Sequence, residues 1–239
     1  MHQSPYGNSQ APDAWTVAQA SVETRSDFIH KTYQHLALAL VAFVGLEALL
    51  LNLPGIDGLV RTMMGGRISW LIVLGAFMLV SRVAENWARS STSQGQQYMG
   101  LGLYVLAEAI IFVPLMYIAI RVGGPAVVAK AAVVTGITFG GLTTMVLVSK
   151  KDFSFMGGIL TVLGFSALGL IAASLLFGFS MGSWFAWAMV AFAAGAIVYQ
   201  TSNVVHQYQP GQHVAAALGL FASVALLLWY VVQLFTRRN

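Results

Sequence analysis

Long apolar stretches, cut by short polar or glycine- and proline-rich breaks, take up almost the whole chain. A bilayer core of about 30 Å needs about 20 apolar residues per helix. Seven stretches are read as spans on that basis, at about 32–53, 68–85, 95–121, 126–148, 156–177, 183–206 and 213–235. Pro54-Gly55 and Asp57-Gly58 stop the first, Gly123-Gly124-Pro125 divides the third from the fourth, and Gly178 to Ser183 turns the fifth into the sixth. Met1 to about Val22 is polar, with no basic start and no apolar core, so it reads as a mobile tail rather than a signal peptide. The tail leads into an interfacial helix from Ser26 to His35. The expected division is a tail over 1–25 and a seven-helix transmembrane domain over 26–239. The fold class is all-α and polytopic.

Composition leaves no room for a soluble domain: 58% of the 239 residues are hydrophobic and 8% are charged, against about a quarter charged in soluble domains. Cysteine is absent, which excludes disulfides and thiolate metal sites. The net charge of +4 comes from single Lys and Arg residues at span ends, so it describes membrane flanks and not a nucleic-acid surface. Arg25, Lys31, Arg82, Arg89, Lys150 and Lys151 fall on the N-terminal side, and Arg61, Arg67, Arg121, Lys130, Arg237 and Arg238 on the other. The count is tied. The adjacent pair Lys150-Lys151 favours a cytosolic N terminus. Trp70, Trp87, Trp184 and Trp229 lie near span ends and read as interface anchors.

Polar residues inside the spans carry the candidate chemistry. Glu108 lies well inside the third span, where a charged residue costs on the order of 3 kcal/mol, so it must face protein or water. Pro114 follows six residues later and removes an amide from the helix. Glu47 in the first span and Arg82 in the second extend the candidate polar path, with Arg82 placed to pair with Glu85. Gly136 and Gly140 form a small-xxx-small pair for helix packing. The last hairpin sets the polar run Gln200, Thr201, Ser202, Asn203 and His206 against a stripe of Ala215, Gly219 and Ser223, which reads as a close-packing seam on the seventh span. His206 and His213 read as solvated interfacial residues rather than metal ligands, since no third ligand stands near. A serine hydrolase is disfavoured because Gly182-Ser183 falls in a turn, and an aspartyl protease because no predicted span contains Asp. No Gly-x-x-x-x-Gly-Lys-Ser loop is present for ATP. The expectation is a chain that is not an enzyme and holds no cofactor or metal.

The segments Lys150-Lys151-Asp152-Phe153-Ser154-Phe155-Met156-Gly157-Gly158 and Ala196 through His206 resemble the Bax inhibitor-1 family, in its bacterial YccA-like branch. Lys31-Thr32-Tyr33 and the Glu108–Pro114 pattern support this, and the resemblance covers about Asp27 to Leu234. It implies a fold with six helices around a central seventh. It also implies one of two activities, a pH-sensitive calcium leak or the modulation of a partner protein. In leak-type members an aspartate near the end of the sixth helix pairs with one in the seventh. Here those positions are Gln200 and Ser223, which do not titrate near neutral pH and cannot share a proton. The hairpin is then a structural latch in which Gln200 and Ser223 hydrogen-bond to each other at most, and any pH sensing falls to Glu108. The first expectation is therefore a regulator of a membrane-bound AAA protease of the FtsH type, or of its scaffold, a role that the polar tail from Met1 to Val22 suits. The alternative is a leak for calcium or other cations. Either would sit in the lipid bilayer of a bacterial cytoplasmic membrane.

Overall fold

The computed structural model describes residues 16–90, 93–149 and 151–237. A 3-10 turn, Val17–Gln19, precedes eight helices: α1 Val22–Leu51, α2 Ile56–Met64, α3 Arg67–Ala88, α4 Gln94–Gly123, α5 Pro125–Ser149, α6 Met156–Phe177, α7 Gly182–His206 and α8 His213–Arg237. All but α2 are long and apolar enough to cross a membrane, giving seven candidate spans. Glycine in the left-handed region ends α6 at Gly178 (φ 76°), a conformation other residues adopt only with strain.

Two departures from the sequence reading lie at the first span. The interfacial helix and the span are one continuous α1 of 30 residues, because nothing between Ser26 and His35 breaks a helix and Asp27 pairs with Lys31 at 2.7 Å one turn on. Residues 16–25, read as part of a mobile tail, are folded: Val17 is fully buried, and the Ser21 hydroxyl accepts from the Thr24 N–H to cap α1. Met1 to Trp15 lie outside the described residues.

Where the sequence showed only stop signals, α2 is an amphipathic helix with Val60 and Met63 buried and Leu59 and Met64 exposed. It is tied to α4 through Asp57, which accepts from the Tyr117 hydroxyl and, at 3.3 Å, from the Arg121 guanidinium. The Tyr117 bond is the main reason the Asp57 carboxyl sits below its usual range, and Arg121 and Arg61 add to it.

The most buried span is α8: 72% of its most apolar window is inside the protein, against 6% for α3 and for α6. Five spans, α1, α3, α4, α5 and α7, pack directly on it. The expectation of six helices around one needs a correction at α6. That helix leans mainly on α7 and α3, and meets the α8 side chains Tyr230 and Leu234 only in a small cluster through Ala167. Aromatic rings fill the space around α8: Phe43 and Tyr104 pack edge-on to Phe221, and Phe112 edge-on to Trp229. Trp229 also stacks on Trp70 at 6.3 Å, so these two half-buried tryptophans pack on each other.

Close backbone approach occurs at a glycine the sequence did not single out. A Cβ at Gly100 would lie 2.5 Å from both the Ala84 carbonyl oxygen and the Ala88 nitrogen, which seats α4 against α3. Gly136 and Gly140, read as packing residues, have nothing within 4 Å of a Cβ and face outward. The packing expected at this pair is not made, because α5 turns this face away from its neighbours. Gly100→Ala should therefore lower the thermal midpoint in detergent, losing about 1–3 kcal/mol by overpacking against rigid backbone. Gly136→Ala should leave the midpoint nearly unchanged.

Candidate functional site

A cavity of about 390 Å³ lies between α3, α4, α7 and α8. Glu85 and Arg89, at the end of α3, stand at its mouth, on the face of the molecule that carries the α7–α8 turn. Gln200 lies six residues before the end of α7. Glu108 lies 14 residues beyond the start of α4, a depth of about 21 Å at 1.5 Å per residue. Phe77 and Leu226 complete the wall with apolar surface. The cavity thus leads from a charged rim to a carboxylate halfway along a span. Room and polar lining together suit it to water.

The local sequence explains this shape. Ala215, Gly219 and Ser223 recur every fourth residue, so they line one face of α8, and all three face the cavity. The stripe was expected to be a packing seam. Instead it leaves the space open, and the Gln200 amide fills part of it: a Cβ at Gly219 would lie 3.0 Å from Gln200 Oε1. The Ser223 hydroxyl donates to its own helix at the Gly219 carbonyl, 2.9 Å away. Gln200 Oε1 has no protein partner. The bond expected between Gln200 and Ser223 is therefore absent, although both residues line the same cavity. Glu108 is 7% exposed, and its Oε2 also has no protein partner.

Of the remaining candidates, Arg82 stands apart. Arg82 is exposed on the outer face of α3 and pairs with no carboxylate, since the ion pairs among the described residues are Lys31–Asp27 and Arg121–Asp57. The buried face of α3 is set by Ala84 and Ala88, and Arg82, two residues before Ala84, falls on the opposite side of the helix. Glu85 and Arg89, one turn apart, reach the mouth instead; their four-residue spacing was the available signal. Glu47 is buried in α1 with neither carboxylate oxygen bonded; it is not part of the cavity wall, but it lies within electrostatic reach of Glu108. The cavity residue Tyr104 was also missed, since an aromatic in an apolar span reads as core.

Histidines make no metal centre: among the described residues no three His, Asp or Glu side chains gather. His206 Nδ1–H donates to the Ser202 carbonyl at 3.0 Å. His213 is buried rather than solvated, its ring 5.0 Å from that of His35, which also stacks on Tyr98 at 5.4 Å. A Gly164-Phe165-Ser166 triplet does stand inside α6, but the Ser166 hydroxyl donates to the Val162 carbonyl of its own helix on an exposed face.

The two segments that carried the family resemblance meet in space. The Phe153 N–H donates to the Ser202 hydroxyl oxygen at 2.8 Å, and the Asp152 carboxylate accepts from the Ser154 N–H at 2.8 Å and the Ser202 hydroxyl at 3.3 Å. Gly157 sits against Tyr199, whose hydroxyl would be 2.8 Å from a Cβ there. Lys150 lies outside the described residues. This contact ties the α5–α6 loop to the end of α7, below the cavity residue Gln200. A family model described as inhibitor of apoptosis-promoting Bax1 matches residues 25–239.

The chain belongs to the Bax inhibitor-1 family. Among its relatives, the uncharacterised protein PA2604 of Pseudomonas aeruginosa is 30% identical over 163 residues, 67% of this chain and 69% of that one. The Golgi anti-apoptotic protein of vaccinia virus is 27% identical over 229 residues, 94% of this chain and 91% of its own. Protein lifeguard 4 of Mus musculus is 25% identical over 231 residues, 93% and 90% of the two chains.

In this family member the Asp152 contact has a pH signature. The Ser154 N–H, then the Ser154 side chain, the nearby His206 and the Ser202 hydroxyl hold the Asp152 carboxyl below its usual range. A carboxyl whose folded value is lowered contributes stability above the unfolded value of about 3.9 and loses it as pH falls through the folded value. Asp152→Ala should lower the thermal midpoint at neutral pH, and its difference from the unsubstituted protein should shrink below about pH 4. Melts in detergent at several pH values check this.

Proposed function

We propose that the cavity is a hydrated half-channel and that the protein is a cation leak, admitting calcium, another small cation or protons to Glu108. Entry is from the membrane face that carries the α7–α8 turn. The supporting observation is the position of Glu108, buried at mid-span on the wall of a polar cavity whose mouth is formed by Glu85 and Arg89. A carboxylate at that depth is costly against lipid, on the order of 3 kcal/mol, and a water-filled cavity lowers the cost by restoring hydration. Gln200 and Ser223, at the positions of the family's acid pair, are neutral and offer oxygen atoms to a passing ion. Glu108 is then the charged group of the path, in place of the two acids.

This reading sets the leak ahead of the protease-regulator expectation. The tail that would recruit an FtsH-type protease is, over residues 16–20, bound to its own chain. A regulatory role without catalysis remains compatible with the leak, since a change in ion concentration is itself a signal, and the name of the viral relative supports such a role. The bacterial relatives support a bacterial membrane, and the adjacent Lys150-Lys151 pair favours the cytoplasmic membrane with the N terminus in the cytosol.

The test is calcium flux into liposomes carrying the purified protein, from acidic to neutral pH. Flux should change with pH, and Glu108→Gln should flatten that dependence while leaving the protein folded. Unsubstituted protein that passes no ion at any pH rejects the leak. Co-purification of an AAA protease in mild detergent would then favour the regulator.

A further inference from the structure

The buried positions of α1 form one stripe that ends at Glu47, the one acid on it, and α1 packs chiefly against α4 and α8. Ring contacts fix the level of Glu47. As the first and third crossings, α1 and α4 run in the same direction. They meet at His35 on Tyr98 near one end and at Phe43 on Phe112 further in. Phe43 and Tyr104 also pack edge-on to the same ring, Phe221, at 5.9 and 6.1 Å. Glu47 follows Phe43 by four residues and Glu108 follows Tyr104 by four, about one helical turn each. The two carboxylates therefore stand at one depth on adjoining buried faces, and Glu47 lies within electrostatic reach of Glu108.

The protein supplies neither acid with a counter-charge. Glu47 is 6% exposed with both oxygens unpartnered, and Oε2 of Glu108 is unpartnered too. Facing Glu108 are Tyr104 from its own helix and, from α3, Glu85 and Arg89. Arg89 is the one basic residue lining the cavity. Because Gly100 packs against Ala88, Arg89 lies near the level of Gly100, about 12 Å short of Glu108. From α7 and α8 the cavity receives the neutral Gln200 and Ser223, while Tyr230 of α8 packs on Phe185 instead. Asp57 and Arg61 of α2 and Lys130 of α5 are exposed. Two carboxylates in poorly solvated surroundings cannot both ionise easily, and the smallest counter-charge that water in the cavity can deliver is a proton.

We propose that Glu47 and Glu108 form one proton-binding site at the inner end of the cavity, a carboxylate pair that keeps one proton whenever the other acid is ionised. The proton leaves a Glu108 oxygen for cavity water and returns the same way. Glu47 stands off the cavity wall, so it acts through Glu108, setting how readily that residue gives up its proton. The pair rests on the half-channel reading for the water that reaches Glu108.

Infrared difference spectra of the full-length protein in liposomes, stepped through pH, follow the protonated-carboxyl band of buried acids. Unsubstituted protein, Glu47→Gln, Glu108→Gln and the double variant are compared, after size exclusion verifies folding. Glu47→Met, close in volume and uncharged, covers the case in which Glu47→Gln does not fold. A coupled pair releases its two protons in steps separated by about tenfold or more in proton concentration. Both single substitutions should then remove the same step, the one at higher pH, because each leaves an acid with a neutral neighbour. The double variant should remove both steps. Loss of a different step in each single variant means independent acids and overturns the pair, as does a band that pH does not change. Calcium flux measured on the same liposomes separates the two readings. Coupled steps without flux keep the pair and reject the leak, and flux with independent steps does the reverse.

Discussion

A carboxylate halfway along a membrane span cannot face lipid, and the interior of this protein is arranged around that constraint. Glu108 fixes which side of α4 turns inward, and Tyr104, Val105, Ala109 and Phe112 share that buried face. More than half of the most apolar window of α4 is inside the protein, whereas α3 and α6 are covered almost wholly by what lies outside them. The neighbours of Glu108 must then supply polarity or space. Gln200 on α7 and the small face of α8 supply both.

Small residues act in opposite ways at two places, and the opposing element decides which. At Gly100 the partner is backbone, so the missing side chain lets two helices touch and leaves no space. Along Ala215, Gly219 and Ser223 the partner is a single glutamine, whose amide covers Gly219 but cannot fill the gap to α3. One arrangement gives a rigid α3–α4 pair, the other a cavity beside it. Aromatic contacts of Phe221 and Trp229 hold α8 in place on its other faces, so the cavity does not collapse.

The membrane face that carries the mouth also gathers the connections that could move it. The α5–α6 loop is pinned to α7 through Asp152, Phe153 and Ser202, and the α7–α8 turn is pinned by Val17 and Arg25. The first of these contacts involves a fully buried serine and several bonds. The second buries one valine at the edge of a polar segment.

The chain's own pattern was enough for the seven spans, because a bilayer demands long apolar helices and the breaks between them are marked by glycine, proline and charge. It was also enough to show that Glu108 is interior, since depth alone makes an acid there costly. The pattern could not say which face of each helix meets a neighbour. Arg82 and Glu85 are three residues apart on one helix, yet one faces outward and the other the cavity. Gly136 and Gly140 satisfied a packing motif on a face that packs against nothing, while Gly100 carried the contact with no motif at all. Val17 looked like part of a mobile tail because a single valine leaves no periodic signal. Spacing along a helix fixes relative angle, but the rotation of each helix is set by the sum of its contacts, and only the tertiary structure supplies that sum.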